Sequence, residues 1–594
     1  MRPQPPIRPW LAALVLGAFA ALPMLSLLAE PGAWLADPLS ELPVKLWGHA
    51  TYAHPDRFFG GPVDSIGFPN TGPLNNPDLV TTALWGLLRG PLGDVAGYNL
   101  ILFLQLWGTA LATWALARDL CRDGRAALTA GVAFALTPLV LVYAVAGAIT
   151  DMLNLWPYPL AMLFALRALR REGWRDGLLA GLFAGLAVAS CPYNVVVFSI
   201  AVLPGGLWLP LALRDRFTVV DDPQAAPQPA PRQWGRAAVG LVVVAGLIAG
   251  FTLVQLRAVM DDPDSQMSAA SVALTRHQPP FEWLEPEVPD RYTAYLVDYL
   301  RVGKGALITR ELGSRYYRAF SPGISVLLLG LAGVVAFRRR RGMWLWPALA
   351  VVGVLASVGP FLPINRAVSL PGPWNPVWRL AYAMPGGAML LEPFRYGLVA
   401  ALGLAICAAF GVSALSRRLG GWVAWVAPVV IVVEIAAVSP VPVPLPTARL
   451  EVPDLYRHLD AHLPPGAIIE LPYTRMGTTV FNRQHFAHQL VHGRPIADEV
   501  QGFFPRYLVE NQFTARLLFE ENQGTLLSLD HPDPTRFDAD RRRLAADGFA
   551  GIIVTPQLYA DAHTRDRVLR HLRTLGQDPV EVDGRLFFAL PRPP

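Results

Sequence analysis

A membrane-embedded, all-α polytopic bundle of about eleven helices, followed by a small extracytoplasmic α/β domain, is the fold this sequence predicts. Three observations predict it. Of 594 residues, 53% are hydrophobic and only 16% are charged, against about 25% charged in ordinary soluble proteins. Apolar runs of bilayer-spanning length, about 20 residues, recur as far as residue 438. Beyond Ser439 charge density rises, and short apolar strands alternate with amphipathic segments.

The spans are expected near 10–29, 97–117, 126–147, 153–169, 177–191, 194–213, 237–255, 319–337, 343–362, 394–415 and 420–438. The first carries basic residues ahead of its apolar run but no convincing small-x-small cleavage site near Glu30, so it reads as a retained helix. Arginines decide the orientation. Arg118, Arg122 and Arg125, then Arg167, Arg170, Arg171 and Arg175, then Arg214, Arg216, Arg232 and Arg236, then Arg338 to Arg341, and finally Arg417 and Arg418 all follow even-numbered spans. Starting inside, every one of these turns falls on the cytoplasmic side, as the positive-inside bias requires. The net charge of +5 is thereby accounted for without a nucleic-acid partner. The N-terminus is expected in the cytoplasm and the C-terminal segment outside.

Residues 1–438 therefore form one polytopic domain with long outer loops at 30–96, 256–318 and 363–393, and 439–594 form a separate outer domain. The proline-rich turn 221–233 reads as a disordered cytoplasmic linker. In the outer domain, Ala467–Leu471, Gly551–Val554 and Leu586–Ala589 read as buried strands. Asp454–His462, Arg536–Asp547 and Arg565–Leu575 read as the helices between them. Cys121, Cys191 and Cys407 lie in or beside apolar runs with neither metal-ligand spacing nor a disulfide pattern.

The polar residues crowd at the outer rim, whereas the spans are almost bare in their middles apart from Glu434. That distribution favours chemistry at the membrane surface over a transport path, which keeps ionisable groups at mid-depth. The first outer loop is the richest stretch, with Asp37, Glu41, Lys45, His49, His54, Asp56, Arg57, Asp64 and Asp78. Were 37–41 helical, Asp37 and Glu41 would share one face; the plainer reading is a cap residue and a solvated acid. A carboxylate held near lipid has its pKa raised, which improves it as a base near neutral pH. Lys45, His49, His54, Arg57, Arg276 and Arg395 are candidates for gripping an anionic phosphate. Arg395 opens an apolar helix just after Glu392-Pro393, so it either pairs with Glu392 or reaches for a headgroup.

His49 and His54 do not align on a helix, and Asp261-Asp262-x-Asp264 reads first as a solvated acidic loop, with a divalent cation as the alternative. His485, His488 and His492 fall on one helical face, yet no HExxH or nearby acid accompanies them, so a packed helix is expected there. No metal site is assigned.

Several motifs carry a resemblance: Ala36-Asp37-Pro38 after the first span, Gly93-Asp-Val-Ala-Gly-Tyr98-Asn99-Leu100 opening the second, and Ala126-Ala127 with Phe134-Ala135-Leu136-Thr137-Pro138 in the third. Trp156-Pro-Tyr-Pro159, Ser357-Val-Gly-Pro360, Glu392-Pro393-Phe394-Arg395, Leu463-Pro-Pro-Gly466 through Pro472, and the Gly548 to Val554 strand continue it. Together they resemble the YfhO-like bacterial membrane proteins of the GT-C glycosyltransferase superfamily, over nearly the whole chain. The resemblance implies inverting transfer of a sugar from a polyprenyl-phosphate donor to an acceptor on the outer face of a bacterial inner membrane. It implies an acidic base in the first outer loop, at Asp37 with Glu41 as rival. A second acid in the next outer loop corresponds to Asp151. The alternatives are a non-catalytic transporter or flippase, or a scaffold, for lipid-linked glycans.

Overall fold

The computed structural model describes residues 7–201, 204–205, 246, 250, 294–300, 320–360, 362, 375–384, 393–438, 442–457, 459, 464–473, 484–498, 506–521 and 532–590, less positions 39, 70–72, 75–77, 172–173, 560 and 577. It is mostly helical, with three small sheets. Three helical stretches are long and apolar enough to cross a membrane: Pro9–Leu28, Asp94–Cys121 and Pro393–Leu419. Shorter apolar helices lie at Ala126–Ala135, Ile324–Phe337, Gly342–Ser357 and Val423–Ala437. Most of the expected spans 194–213 (beyond 201) and 237–255, the linker 221–233, the loop 256–318 apart from 294–300, and the loop 363–393 apart from 375–384 and 393 lie outside the described residues.

Helix α1 (Pro9–Ala21) begins on a proline at its first turn, where no amide donor is needed, and runs on as a 3-10 turn to Leu28. α4 (Asp94–Cys121) starts after Gly93 at φ +77° and ends on Arg122 at φ +57°; at 1.5 Å per residue its 28 residues span about 42 Å. The expected third span is interrupted. α5 (Ala126–Ala135) stops before Thr137-Pro138, and a π-helical turn follows over Val140–Ala146, because Pro138 cannot donate into the ladder. α6 (Pro157–Arg171), α7 (Trp174–Ser190) and α8 (Pro192–Ser199) follow.

The central helix Gly397–Leu419 is buried along most of its length. It is approached so closely that a Cβ on Gly411 would run into the Leu329 carbonyl, and one on Gly403 into that of Trp346. Small residues at such crossings are what let apolar helices pack in lipid, where no hydrophobic force drives them together. Glu434 is not a bare mid-span charge. It lies near the end of the helix Val423–Val438 and accepts the Ser325 amide at 2.9 Å and the Ile324 amide, capping the neighbouring helix Ile324–Phe337.

The first outer loop holds two helices: α2 (Leu42–Tyr52) and α3 (Leu79–Leu92). It also holds β1 (Trp34–Leu35) and the small hairpin β2 (Gly61–Pro62) with β3 (Pro73–Leu74). Asp37 and Glu41 do not share a helix face: residues 37–41 form a turn, and α2 begins only at Leu42. β1 pairs antiparallel with β4 (Thr447–Ala448), tying the residues after the first helix to those after the last.

C-terminal to that point a four-stranded sheet forms from β5 (Ala467–Leu471), β6 (Phe549–Val554), β7 (Val580–Val582) and β8 (Arg585–Ala589), in the order β5-β6-β8-β7. β5 and β6 are parallel; β8 runs antiparallel to both of its neighbours. Helices Phe537–Ala546 and Ala562–Leu572 flank β6 in sequence. The first loop adds to this sheet's margin. Gly67 and Phe68 amides donate to the Asp498 and Ile496 carbonyls, and the Ile496 amide to that of Ser65; Ile496 in turn bridges Ile468 of β5.

Candidate active site

The site is built from three stretches that meet where the first loop folds back on the bundle. α2 supplies Lys45 and His49, which at i, i+4 share a face. A 3-10 turn over Thr150–Leu153 supplies Thr150 and Asp151, and the start of α3 supplies Asp78, Thr81 and Thr82. The Glu41 amide donates to the Gly147 carbonyl at 3.1 Å, fixing the entry of α2 beside that turn.

Lys45 Nζ donates to Asp151 Oδ1 at 2.7 Å, with side chains 20% and 11% exposed. Burial alone would depress the ammonium, but Asp151, Glu41 and Asp78 outweigh it and raise the Lys45 pKa. Burial works against Asp151 too, yet Lys45 and then Arg395 hold its carboxyl below the ordinary range. Both groups are therefore charged at neutral pH. The other Asp151 oxygen accepts from the Cys191 thiol at 3.7 Å. Arg395 lies 5.3 Å from the Tyr193 ring, and its charge acts on Asp151. Its suggested partner Glu392 lies outside the described residues, as do Arg276 and Asp261 to Asp264.

His49 is buried between two hydroxyls, Nδ1 to Thr82 Oγ1 and Nε2 to Thr150 Oγ1, each at 3.1 Å. Burial, reinforced by Lys45, lowers its pKa to about 3. A neutral imidazole suits that place, donating from one nitrogen and accepting at the other. Asp78 caps α3 by accepting the Thr81 amide at 3.0 Å and accepts Asn154 Nδ2 at 2.8 Å. Burial, and secondarily the Asp151 charge, raise it to about 7 against the Thr81 hydrogen bonds.

Asp37 is buried directly after β1, its carbonyl accepting the Ser40 amide at 2.9 Å. His54 is exposed in the turn after α2, and Arg57 faces Asp56 at 3.9 Å; neither belongs to the Lys45–Asp151 cluster. Asp78, Asn154 and Cys191 do, although nothing in the sequence alone selected them. The usable signal was the cap pattern, an Asp directly before the apolar run Leu79-Val80.

Two of the three histidines of the helix Gln484–His492 find acids. His485 pairs with Asp498, and His488 Nδ1 lies 3.3 Å from Glu470 Oε2 on β5. Both partners come from other elements, which is why local sequence concealed them. Among the described residues no group of three His, Cys, Asp or Glu side chains is arranged to hold a metal ion. In the pocket, Asp151 is taken up by an ammonium and a thiol, not a ligand set for a divalent cation.

Residues 91–217, from α4 past α8, match the family model described as dolichyl-phosphate-mannose-protein mannosyltransferase. Among solved structures the chain is similar to the arabinofuranosyltransferase AftD from mycobacteria, with a TM-score of 0.51 and 15% identity over 99% of this chain and 42% of that one. It thus spans less than half the length of that relative. The oligosaccharyltransferase of Archaeoglobus fulgidus in its apo form aligns at a TM-score of 0.47 and 12% identity, covering 92% of this chain and 70% of that one. The same archaeal enzyme, AglB, bound to an inhibitory peptide and a dolichol-phosphate, aligns at 0.46 and 12%, covering 95% and 72%. No curated protein sequence matches the chain. A mannosyltransferase family model thus matches residues 91–217, and the fold along the chain is similar to that of an arabinofuranosyltransferase.

Proposed function

We propose that the chain transfers a sugar from a polyprenyl-phosphate-linked donor to an acceptor hydroxyl on the outer face of a bacterial inner membrane, with inversion. The observation that carries this reading is the pairing of Lys45 with Asp151 at 2.7 Å, with the Arg395 charge directed at the same carboxylate. Lys45 is thereby held by a buried acid on which the Arg395 charge also acts, and cations of this kind are what a departing lipid phosphate needs. A base takes the acceptor proton as its oxygen bonds to the sugar's anomeric carbon and the phosphate leaves with the bonding electrons. Asp37, buried just after β1, is the base in this reading; Glu41, whose charge acts on Lys45, is its rival. Asp151 holds Lys45 in place. His49 fixes the turn at Thr150, and Arg57 and His54, at the loop's margin, serve the approach of the anionic donor. No step is routed through a divalent cation.

The arginine pattern supports an orientation with the N-terminus cytoplasmic and residues 439–594 as a periplasmic domain. Arg118 and Arg122 end α4, while the pocket lies towards the helix's other end, beside the loop that precedes Asp94. The test is purified protein with a panel of polyprenyl-phosphate sugars, comparing wild type with Asp37→Asn, Glu41→Gln and Lys45→Met. Loss in Lys45→Met and in one acid variant is expected. Equal turnover in all four removes these groups from the mechanism. No turnover by wild type with any donor favours the flippase or scaffold reading.

A further inference from the structure

α2 is held from two sides. At about 100° per residue, Lys45 and His49 lie on one face, while Val44 and Trp47 lie on the opposite one. The first face meets Asp151, Thr150 and Thr82. The second is buried in an apolar cluster with Tyr456, Ile468, Phe486, Ile496 and Phe587 of the C-terminal unit. One directed polar contact crosses that second interface: Trp47 Nε1 donates to Gln489 Oε1 at 2.9 Å, both side chains buried. The Trp47 ring also meets Phe486 edge-on at 5.6 Å. Apolar burial fixes how deep a helix sits but permits rotation and sliding; a buried hydrogen bond between two specific atoms fixes its register.

From this arrangement we infer that Gln489 is a positioning residue, setting the rotation of α2 through Trp47 and so aiming Lys45 and His49 at the pocket. The helix Gln484–His492 that carries Gln489 is itself immobilised. His485 and His488 anchor it to Asp498 and Glu470, and the Tyr456 hydroxyl donates to the same Glu470 at 2.7 Å. The rigid sheet unit thus acts as a stop against which α2 rests. Loss of the Trp47–Gln489 bond leaves the apolar cluster intact but frees α2 to turn, which separates Lys45 from Asp151 without unfolding either partner.

The activity arm of the test rests on the proposed transfer reaction; two other readouts do not. Full-length protein in nanodiscs is prepared as wild type, Trp47→Phe, Gln489→Met and the double variant. Gln489→Met keeps the side chain's length and removes the acceptor; Trp47→Phe removes the donor together with part of the ring, and the double variant separates the shared bond from that lost packing. Amide exchange of residues 42–52 and the rate of Lys45 acetylation by acetic anhydride are measured, with exchange of α4 and β6 as the check on folding. Both single variants are expected to quicken exchange in α2 and acetylation of Lys45 by about tenfold, and the double variant by no more than either single one, the signature of one shared bond. Where transfer is measurable, kcat falls by a similar factor and both variants follow the wild-type pH profile. Wild-type exchange and acetylation in both singles, or additive effects in the double, overturns the assignment. If wild type transfers no sugar, the exchange and acetylation arms still decide it.

Discussion

Replacing Lys45 by methionine tests the centre of the site. At 2.7 Å and an effective dielectric of about 20, the pair's attraction is about 6 kcal/mol. Most of that is offset by the desolvation of two groups that are largely out of water, so the attraction is not the cost of the change. That cost is set by the carboxylate left behind. Asp151 would keep the Cys191 thiol and the more distant Arg395 but lose its direct cation, and leaving one member of a buried pair uncompensated costs about 3–5 kcal/mol. Lys45→Met and Asp151→Asn should each destabilise the protein in that range, read as unfolding midpoints in mixed micelles. The double variant should recover part of the loss, with a coupling of about 1–3 kcal/mol.

The pH dependence gives a second readout. Asp151 has its folded pKa depressed, so its share of stability is present above the unfolded carboxylate value near 4 and is lost as pH falls through the folded one. Lys45 has its folded pKa raised, so its share is present below the unfolded lysine value near 10.4 and is lost as pH rises through the folded one. The pair's own share, read as wild type minus Asp151→Asn, should be constant between these limits and shrink at the acid edge. Strictly additive single variants would refute the claim that these two groups form an interacting pair.

Three further outcomes follow. Asp78 sits at about 7 in the fold, above its unfolded value, so it contributes least where the unfolded chain would ionise: Asp78→Asn, which keeps the cap acceptor, should stabilise by about 2–4 kcal/mol at pH 8 and by almost nothing at pH 4, in unfolding titrations. His49 is held neutral with its pKa lowered to about 3, so stability is lost as pH drops below the unfolded value near 6.5; His49→Gln should remove about 2 kcal/mol of the wild-type loss between pH 8 and pH 5. Glu434→Ala strips the amides of Ile324 and Ser325 of their acceptor and should lower stability by about 1–2 kcal/mol, in the range of a lost N-cap.

The three span-length helices, Pro9–Leu28, Asp94–Cys121 and Pro393–Leu419, were legible because lipid imposes one demand, a long apolar run, that composition displays directly. The strands Ala467–Leu471 and Arg585–Ala589 announced themselves in the same way, as short apolar runs between polar segments. α2 stayed hidden because both its faces are buried, the Lys45–His49 face against polar groups and the Val44–Trp47 face in an apolar cluster, and α3 because two of its buried positions are Thr81 and Thr82. Gly48, Gly86, Gly90 and Pro91 also interrupt their pattern. The sequence sets Lys45 among the candidate phosphate-binding cations and invites comparison of His49 with His54, five positions on, whereas the informative spacing is Lys45 with His49, four apart. No local pattern could join Lys45 to Asp151 across 106 residues, or Trp47 to Gln489 across 442. Those contacts belong to the tertiary fold alone.

The pairing of Trp34–Leu35 with Thr447–Ala448 bears on how the protein is made. The two strands are 413 positions apart, the difference between 447 and 34. At about 5–20 residues per second, the ribosome needs roughly 20–80 s to deliver the second strand after the first. During that interval the first loop has its ladder partner unmade, and the apolar face of Trp47 has nothing to rest against. The pocket is assembled last, from the oldest and the youngest parts of the chain, and a nascent protein halted before Thr447 would carry its cations and acids without the frame that aligns them.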